Sequence, residues 1–393
     1  MDDTVQYDVA IAGAGPAGSA CALRLARAGL QVCILERSAF PRTKVCGEYL
    51  NLGAVAQLRE LGLEAGLRAK ARSVDGIRLF GSGAAVELPF PSPAWSLPRS
   101  VLDKHVLDAA VCAGAKLLTA RVENVRNGRS MTVDFRTAAG EPGRISARVV
   151  VGADGADSVV ARKCGLTAAG RKRARFALGG HYGGFSGLDH WIEMYVENRR
   201  YFALNPLHDS TANVMVIVDA AQLHAWRDEI DAKLGETARR LSGGRRTFEG
   251  AHVEGKRVAI GPLVPAVHAV SAPNVLLAGD AAAFVDPFTG QGVFLALSSA
   301  ERAARAIISH LCDGKPQREA WRCYGVEQAR AVADRVWLAT AIAFLLRTPL
   351  LARRAAGRLA DHPERARAMI DAVCGLSPAS KALHPLRLLR LIA

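Results

Sequence analysis

The stretch "KVCGEYLN", Lys44 to Asn51, sets a thiol, a glycine and an acid side by side as Cys46, Gly47 and Glu48. No CxxC pair surrounds the cysteine and no histidine stands close in sequence, so neither a metal site nor a cysteine protease is signalled. A thiol is small and polarizable and can pack on a ring or tune access to it. Gly47 lets the main chain approach a ligand closely. Which ligand that is follows from residues further up the chain. Gly13-Ala14-Gly15-Pro16-Ala17-Gly18 spells GxGxxG. In that spacing the first glycine makes a tight turn, the second admits a pyrophosphate against the backbone, and the third lets helix and strand pack closely. Glu36 lies 23 residues after Gly13, where an acid takes the ribose hydroxyls of an adenosine.

These residues need a strand, a turn, a helix and a second strand to hold them. "YDVAIA" is a short apolar run ending in glycine, as in a buried parallel strand. Pro16 suits the first turn of a helix, and Ala22, Leu25 and Ala26 give that helix a packing face. "LQVCILE" supplies the second strand and ends on Glu36. The motif binds a dinucleotide; by itself it admits FAD or NAD.

Two further strands end in glycine and acid. "ARVVVGADGADSVVARKCGL" carries Asp154-Gly155 into a short helix. "NVLLAGDAAAFVDPFTGQGVFLAL" carries Gly279-Asp280 and then the loop Pro287 to Gly292 before a long helix. Asp280, at a strand's carboxyl end, is placed to accept from a ligand hydroxyl. The amides of Gly290, Gln291 and Gly292 open the following helix, where free N–H groups stabilise negative charge.

In this order the three elements resemble the FAD-dependent oxidoreductases of the para-hydroxybenzoate hydroxylase superfamily, over nearly the whole chain. The family's DG motif falls on Asp154-Gly155 and its GD motif on Gly279-Asp280. The run "PRSVLD" at 98–103 matches where the family carries an arginine near the flavin, here Arg99. "KVCGEYL" and "DPFTGQGVFLAL" are most similar to the branch of geranylgeranyl reductases, flavin-dependent halogenases and related hydroxylases. The resemblance implies FAD as cofactor, with contacts also at Arg37, Val122, Pro287 and Val293. It implies that Cys46 and Gly47 face the flavin, and that catalytic roles fall to Cys46, Glu48 and Arg99. In the family the position of Glu48 is often glycine, so this chain departs from the pattern there.

The expected fold is α/β: a Rossmann-like FAD-binding domain in three pieces (1–75, 99–174 and 274–330), with an inserted antiparallel β-sheet substrate domain. Strands at 76–98 and the runs "WIEMYV", "RRYFALNPL", "ANVMVIVD" and "KRVAIGPL" within 175–273 would form that sheet. His181, Tyr182, Trp191, Tyr195, Tyr201 and Phe202 are candidates to line the substrate cavity. The region 331–393 reads as helical, apolar and basic, with ten Lys/Arg against four Asp/Glu.

Composition bounds the remainder. At 393 residues, half of them hydrophobic, the chain can bury more than one core. The net charge of +14 fits a basic proteome as well as an anionic partner. No nucleic-acid-binding motif accompanies it, so nucleic acid is not expected. The longest late apolar run, Val336 to Leu346, is shorter than the ~20 residues a spanning helix needs. The start lacks a signal peptide, and with no disulfide framework a cytoplasmic protein is expected. No metal-ligand spacing occurs.

The leading expectation is an FAD-dependent monooxygenase that hydroxylates or epoxidises an apolar aromatic or polyketide-like metabolite of secondary metabolism through a flavin C4a-hydroperoxide. The alternative is an ene-reductase of isoprenoid double bonds, like the geranylgeranyl reductases; outside enzymes, a prenyl- or protein-binding relative. The WxWxIP motif of halogenases is absent. Without a second GxGxxG, electrons are expected from transiently docked NAD(P)H or from a partner reductase or ferredoxin. Peripheral membrane contact through the basic C-terminal region is a further expectation.

Overall fold

The computed structural model describes residues 5–44, 46–81, 84–128, 130–168, 175–197, 200–226, 229–261, 267–285, 287–347 and 349–382. Val45, the end of the "KRVAIGPL" run at 262–263 and the tail residues 383–393 lie outside them.

The glycine-rich start folds as its pattern dictates. The strand Gln6–Ala12 runs into the helix Pro16–Arg27 and then the strand Val32–Glu36. Gln6–Ala12 lies between Val32–Glu36 and Pro142–Gly152, parallel to both. Val275–Leu277 adds to the far side of Pro142–Gly152, also parallel, with Ser271–Ala272 at the edge. Lys116–Arg126 continues the sheet beyond Val32–Glu36, and Met131–Thr137 joins it antiparallel to Pro142–Gly152. The central strands are buried on both faces, which is why they read as unbroken apolar runs. One face is covered by the helices Pro16–Arg27, Arg99–Cys112 and Gly292–Leu311, around Leu23, Val106 and Leu297.

The second sheet has eight strands in the order His252–Ile260, Arg175–Gly183, Ala212–Asp219, Arg200–Pro206, Trp191–Glu197, Arg72–Gly81, Ala84–Ser96 and Tyr49–Leu50. All its pairings are antiparallel except Trp191–Glu197 with Arg72–Gly81, which is parallel. The expected antiparallel sheet thus includes one parallel pair. A parallel neighbour requires a long crossover, and here the chain leaves at residue 81 and returns at 191.

The two faces of this sheet sort its residues by period two. One face packs on the helix Ile230–Leu241 and holds Tyr182, Tyr195, Phe202, Val214 and Val216. There Tyr195 stacks on Phe202 with ring centroids 4.4 Å apart. The other face carries Ala177, Ile192, Met194, Tyr201, Met215 and Ile217 toward the first sheet.

Past the long helix Gln317–Arg347 come the helices Pro349–Asp361 and Pro363–Val373. Their described part is docked, with Met369 and Ile370 buried. No helix among the described residues is long and apolar enough to cross a membrane.

Candidate functional site

A cavity of about 320 Å³ opens between the two sheets, and most of the residues anticipated from sequence line it. Gly13, Gly15, Pro16, Ala17, Glu36 and Arg37 form one end. Val122, Asp154, Gly155, Gly279 and Asp280 form its flank. Pro287, Gly290, Gly292 and Val293, then Cys46, Gly47, Glu48 and Arg99, surround the middle. Gly18 and Gln291 are not in the wall. A Cβ on Gly18 would stand 1.9 Å from the Gly13 carbonyl oxygen, so this glycine serves helix–strand contact. The Gln291 side chain turns away: its Nε2 donates to Val373 O at 3.2 Å, and Arg335 Nη1 donates to the neighbouring Ala372 O. The last turn of the C-terminal helices thus braces the loop that precedes the helix Gly292–Leu311.

The end of the cavity at the glycine turn is built around Glu36, nearly inaccessible to solvent. Its carboxylate accepts from Ala14 N at 2.8 Å and Ser38 N at 3.0 Å, which ties the glycine turn to the second strand. Arg42 bridges two acids there, 3.7 Å from Glu36 Oε2 and 3.5 Å from Asp103 Oδ2. Asp154 caps the helix Val159–Lys163 through Val159 N at 2.7 Å, yet its buried Oδ1 has no protein partner. Burial raises its carboxyl pKa, and hydrogen bonds from Ser158 and nearby amides oppose the rise. Asp280 lines the cavity and its side chain is exposed there. The low-water setting raises its pKa, while Lys44 and Arg99 pull it back. Lys44 feels the converse: burial lowers its pKa, Arg99 and Arg42 add to that, and Asp280 and Asp103 resist.

Arg99 opens its helix and is buried. Its guanidinium meets Asp103 with both oxygens, at 2.7 and 2.9 Å. Burial works against its charge, but Asp103 and the Cys46 sulfur raise its pKa well above the ordinary value.

Glu48 is the hub of the loop. It holds a left-handed backbone, φ +56°, a conformation that glycine adopts freely and other residues only at a cost. The conformation is fixed by its own side chain. Oε1 accepts from Arg99 N at 2.9 Å, satisfying a free N–H at that helix start. Oε2 meets His181 Nε2 at 2.6 Å and Asn213 Nδ2 at 3.1 Å. Asn213 also donates to Cys46 O at 3.0 Å, and Asn205 donates to Gly47 O at 2.9 Å. Cys46 Sγ accepts from Glu48 N at 3.3 Å. Three residues of the loop are thereby pinned to the second sheet.

Of the aromatic candidates for the cavity, Tyr201 lines it, across from Phe288 at 4.9 Å. Tyr182, Tyr195 and Phe202 are corrected: the alternation of their strands sends them to the opposite face, into the core under Ile230–Leu241. Trp191 lies off the cavity wall under Arg78, 4.9 Å from its guanidinium carbon. His181 stands behind Glu48. The wall is instead made of aliphatic and thioether side chains, among them Ile77, Ile192, Met194, Met215, Ile217 and Ile260. Sequence reading missed these, along with Arg42, Lys44, Asn205, Asn213 and Thr289. Period two could have found the strand residues, because Tyr201, Ala203 and Asn205, like Asn213, Met215 and Ile217, share a face.

FAD fits the cradle these residues form. A Cβ at Gly47 would find no protein atom within 4 Å, so the main chain there borders open cavity. Buried Asp154 Oδ1 and Thr289 Oγ1 lack partners and border the same space. Among the described residues no cluster that could hold a metal ion occurs.

Comparison with known proteins agrees with this geometry. The family model for the FAD binding domain matches residues 6–338. Menaquinone reductase of Mycolicibacterium smegmatis is 33% identical over 319 residues, covering 77% of this chain and 76% of that protein. Geranylgeranyl diphosphate reductase of Rhodobacter capsulatus is 28% identical over 323 residues, covering 79% and 78%. The structure of the flavin-dependent brominase Bmp2 superposes with a TM-score of 0.82 at 22% identity, covering 98% of this chain and 99% of that one, a likeness of fold.

Proposed function

The chain belongs to the FAD binding domain family and is an FAD-dependent oxidoreductase, and on that premise we propose that it reduces carbon–carbon double bonds in an isoprenoid lipid, a prenylated quinone being the first candidate. The observation that carries this reading is the cavity wall. The second sheet presents Ile77, Ile192, Met194, Met215 and Ile217 to the space beside the Cys46–Glu48 loop. Such a surface buries hydrocarbon at about 25 cal/mol per Å² and offers few polar groups to orient a small aromatic acid. Methionines adapt their shape to a flexible chain. Relatives named for menaquinone and geranylgeranyl diphosphate support the same choice. They move reduction ahead of the oxygenation expected first from sequence.

In this reading the Gly13–Gly18 turn and Glu36 hold the adenosine end of FAD, with Arg42 and Lys44 close to its negative charge. Asp154, Asp280, Thr289 and the Pro287–Gly292 loop hold the rest. When bound and reduced, FAD supplies a hydride equivalent. The protein orients the alkene, excludes water and provides the proton. The electron donor is proposed to be docked NAD(P)H or a partner reductase.

The test is turnover with chemically reduced protein under strict anaerobiosis, with a prenyl naphthoquinone and geranylgeranyl diphosphate as probes. Gain of two hydrogens in the isoprenoid chain is expected. Product formed only in air, carrying an atom from labelled dioxygen, would instead establish a monooxygenase.

A further inference from the structure

Reduction of an alkene needs a proton as well as a hydride, and the aliphatic and thioether side chains of the second sheet that face the cavity have none to give. We infer that Glu48 and His181 form a proton relay from bulk solvent into the cavity. The inference rests on the reductase reading above.

The geometry is that of a one-step conduit. Glu48 lines the cavity and is otherwise sealed, 3% exposed. His181 touches it at 2.6 Å, is not among the residues that line the cavity, and its own side chain is 31% exposed. An ionised carboxylate has about four acceptor positions. Among the described residues Arg99 N occupies one on Oε1, and His181 Nε2 and Asn213 Nδ2 occupy both on Oε2, which leaves one position on Oε1. Glu48 presents its carboxylate there from a left-handed backbone, φ +56°, that a non-glycine residue adopts only at a cost. Around the ring, Glu48 on the loop and Glu254 on the adjacent strand His252–Ile260 are the charged neighbours, and both favour its protonated form, the Glu48 hydrogen bond most strongly. Arg99 Nε and Nη2 are committed to Asp103, so that cation meets Glu48 through its main-chain amide.

The pair carries one mobile proton between Nε2 and Oε2. In the step itself the substrate π bond breaks. One alkene carbon accepts the hydride from reduced FAD, which is thereby oxidised. The other carbon forms its C–H bond with the proton leaving the Glu48 carboxyl. His181 returns a proton to Glu48, and bulk water reloads the imidazole.

A purely structural clamp would need only a donor opposite Oε2, so His181→Gln separates the two roles. The FAD-loaded His181→Gln protein is expected to keep its flavin content and, at a pH above the folded pKa of His181 where the charged contact no longer contributes, its melting temperature. Its anaerobic reduction of the prenyl naphthoquinone should fall by about 10²-fold, a usual worth of general acid catalysis, with partial rescue by added imidazole. In NMR titration of the full chain, the His181 ring should lose its raised pKa in Glu48→Gln. Unchanged turnover and pH profile in His181→Gln would overturn the relay, as would a ring titration indifferent to Glu48→Gln. Wild-type protein that reduces neither probe would remove the reductase reading and the relay with it, a pattern distinct from an active wild type with an unaffected variant.

Discussion

Asp103 holds Arg99 one helical turn away with both carboxylate oxygens; both are buried, and Arg99 lies in the cavity wall with Cys46. Removing Arg99 leaves the buried Asp103 carboxylate with only the longer contact to Arg42 at 3.5 Å. Arg99→Ala should therefore cost about 3–5 kcal/mol, whereas the double replacement by leucines should recover much of it. Denaturant unfolding of the two apo variants checks this. Equal losses would mean that the charge is hydrated in the native state.

Lys44 should trade stability for binding. Its folded pKa lies below the ordinary 10.5, so the unfolded chain holds the proton more readily. The resulting penalty is full below the folded pKa and fades as pH rises toward 10.5. Lys44→Met should stabilise the apo protein at neutral pH, with the difference shrinking at alkaline pH. The same change should weaken FAD binding about tenfold or more, the worth of one charge-assisted contact. Paired calorimetry of apo protein and FAD titration reads both signs.

Cys46 should affect the flavin more than the fold. It is half-buried, lines the cavity and sits against Arg99. Cys46→Ser, nearly isosteric, should shift the absorbance of bound FAD or the rate of its reduction at near-normal melting temperature. An unchanged spectrum and rate with a lowered melting temperature would make it a packing residue.

The Glu48–His181 contact should also leave its mark on stability against pH. The partner raises the folded pKa of His181 above 6.5. Its stabilisation is then complete below pH 6.5 and disappears as pH rises through the folded value. The stability gap between wild type and Glu48→Gln should be widest in mild acid and close at higher pH. A gap independent of pH would show that the imidazole does not gain its proton through this contact.

What the sequence disclosed was set by how local each device is. Gly13, Gly15, Gly18 and Glu36 act through turn geometry and one strand–helix–strand unit, so spacing alone revealed them. Glu48 drew attention only as an oddity, because His181 is 133 residues away and Asn213 165. The aromatic candidates failed for a different reason. Tyr195 and Phe202 are as hydrophobic as Tyr201, and only the register of their strands decides which face each takes. Gln291 was found by its place before a helix, yet its side chain serves the C-terminal helices, a partner that no local pattern announces.

That bracing bears on how the chain can be cut or recombined. The family match stops at residue 338, inside the helix Gln317–Arg347. Gln291, Arg335 and Gly53 nonetheless donate hydrogen bonds to the carbonyls of residues 372–374. The border of homology is thus not a border of the folded unit. A chimera that exchanged everything after 338 with a relative would also exchange the foundation under the loop before Gly292. In such hybrids the tail would act as an interchangeable tuning part, altering flavin behaviour without replacing a single residue of the cavity wall.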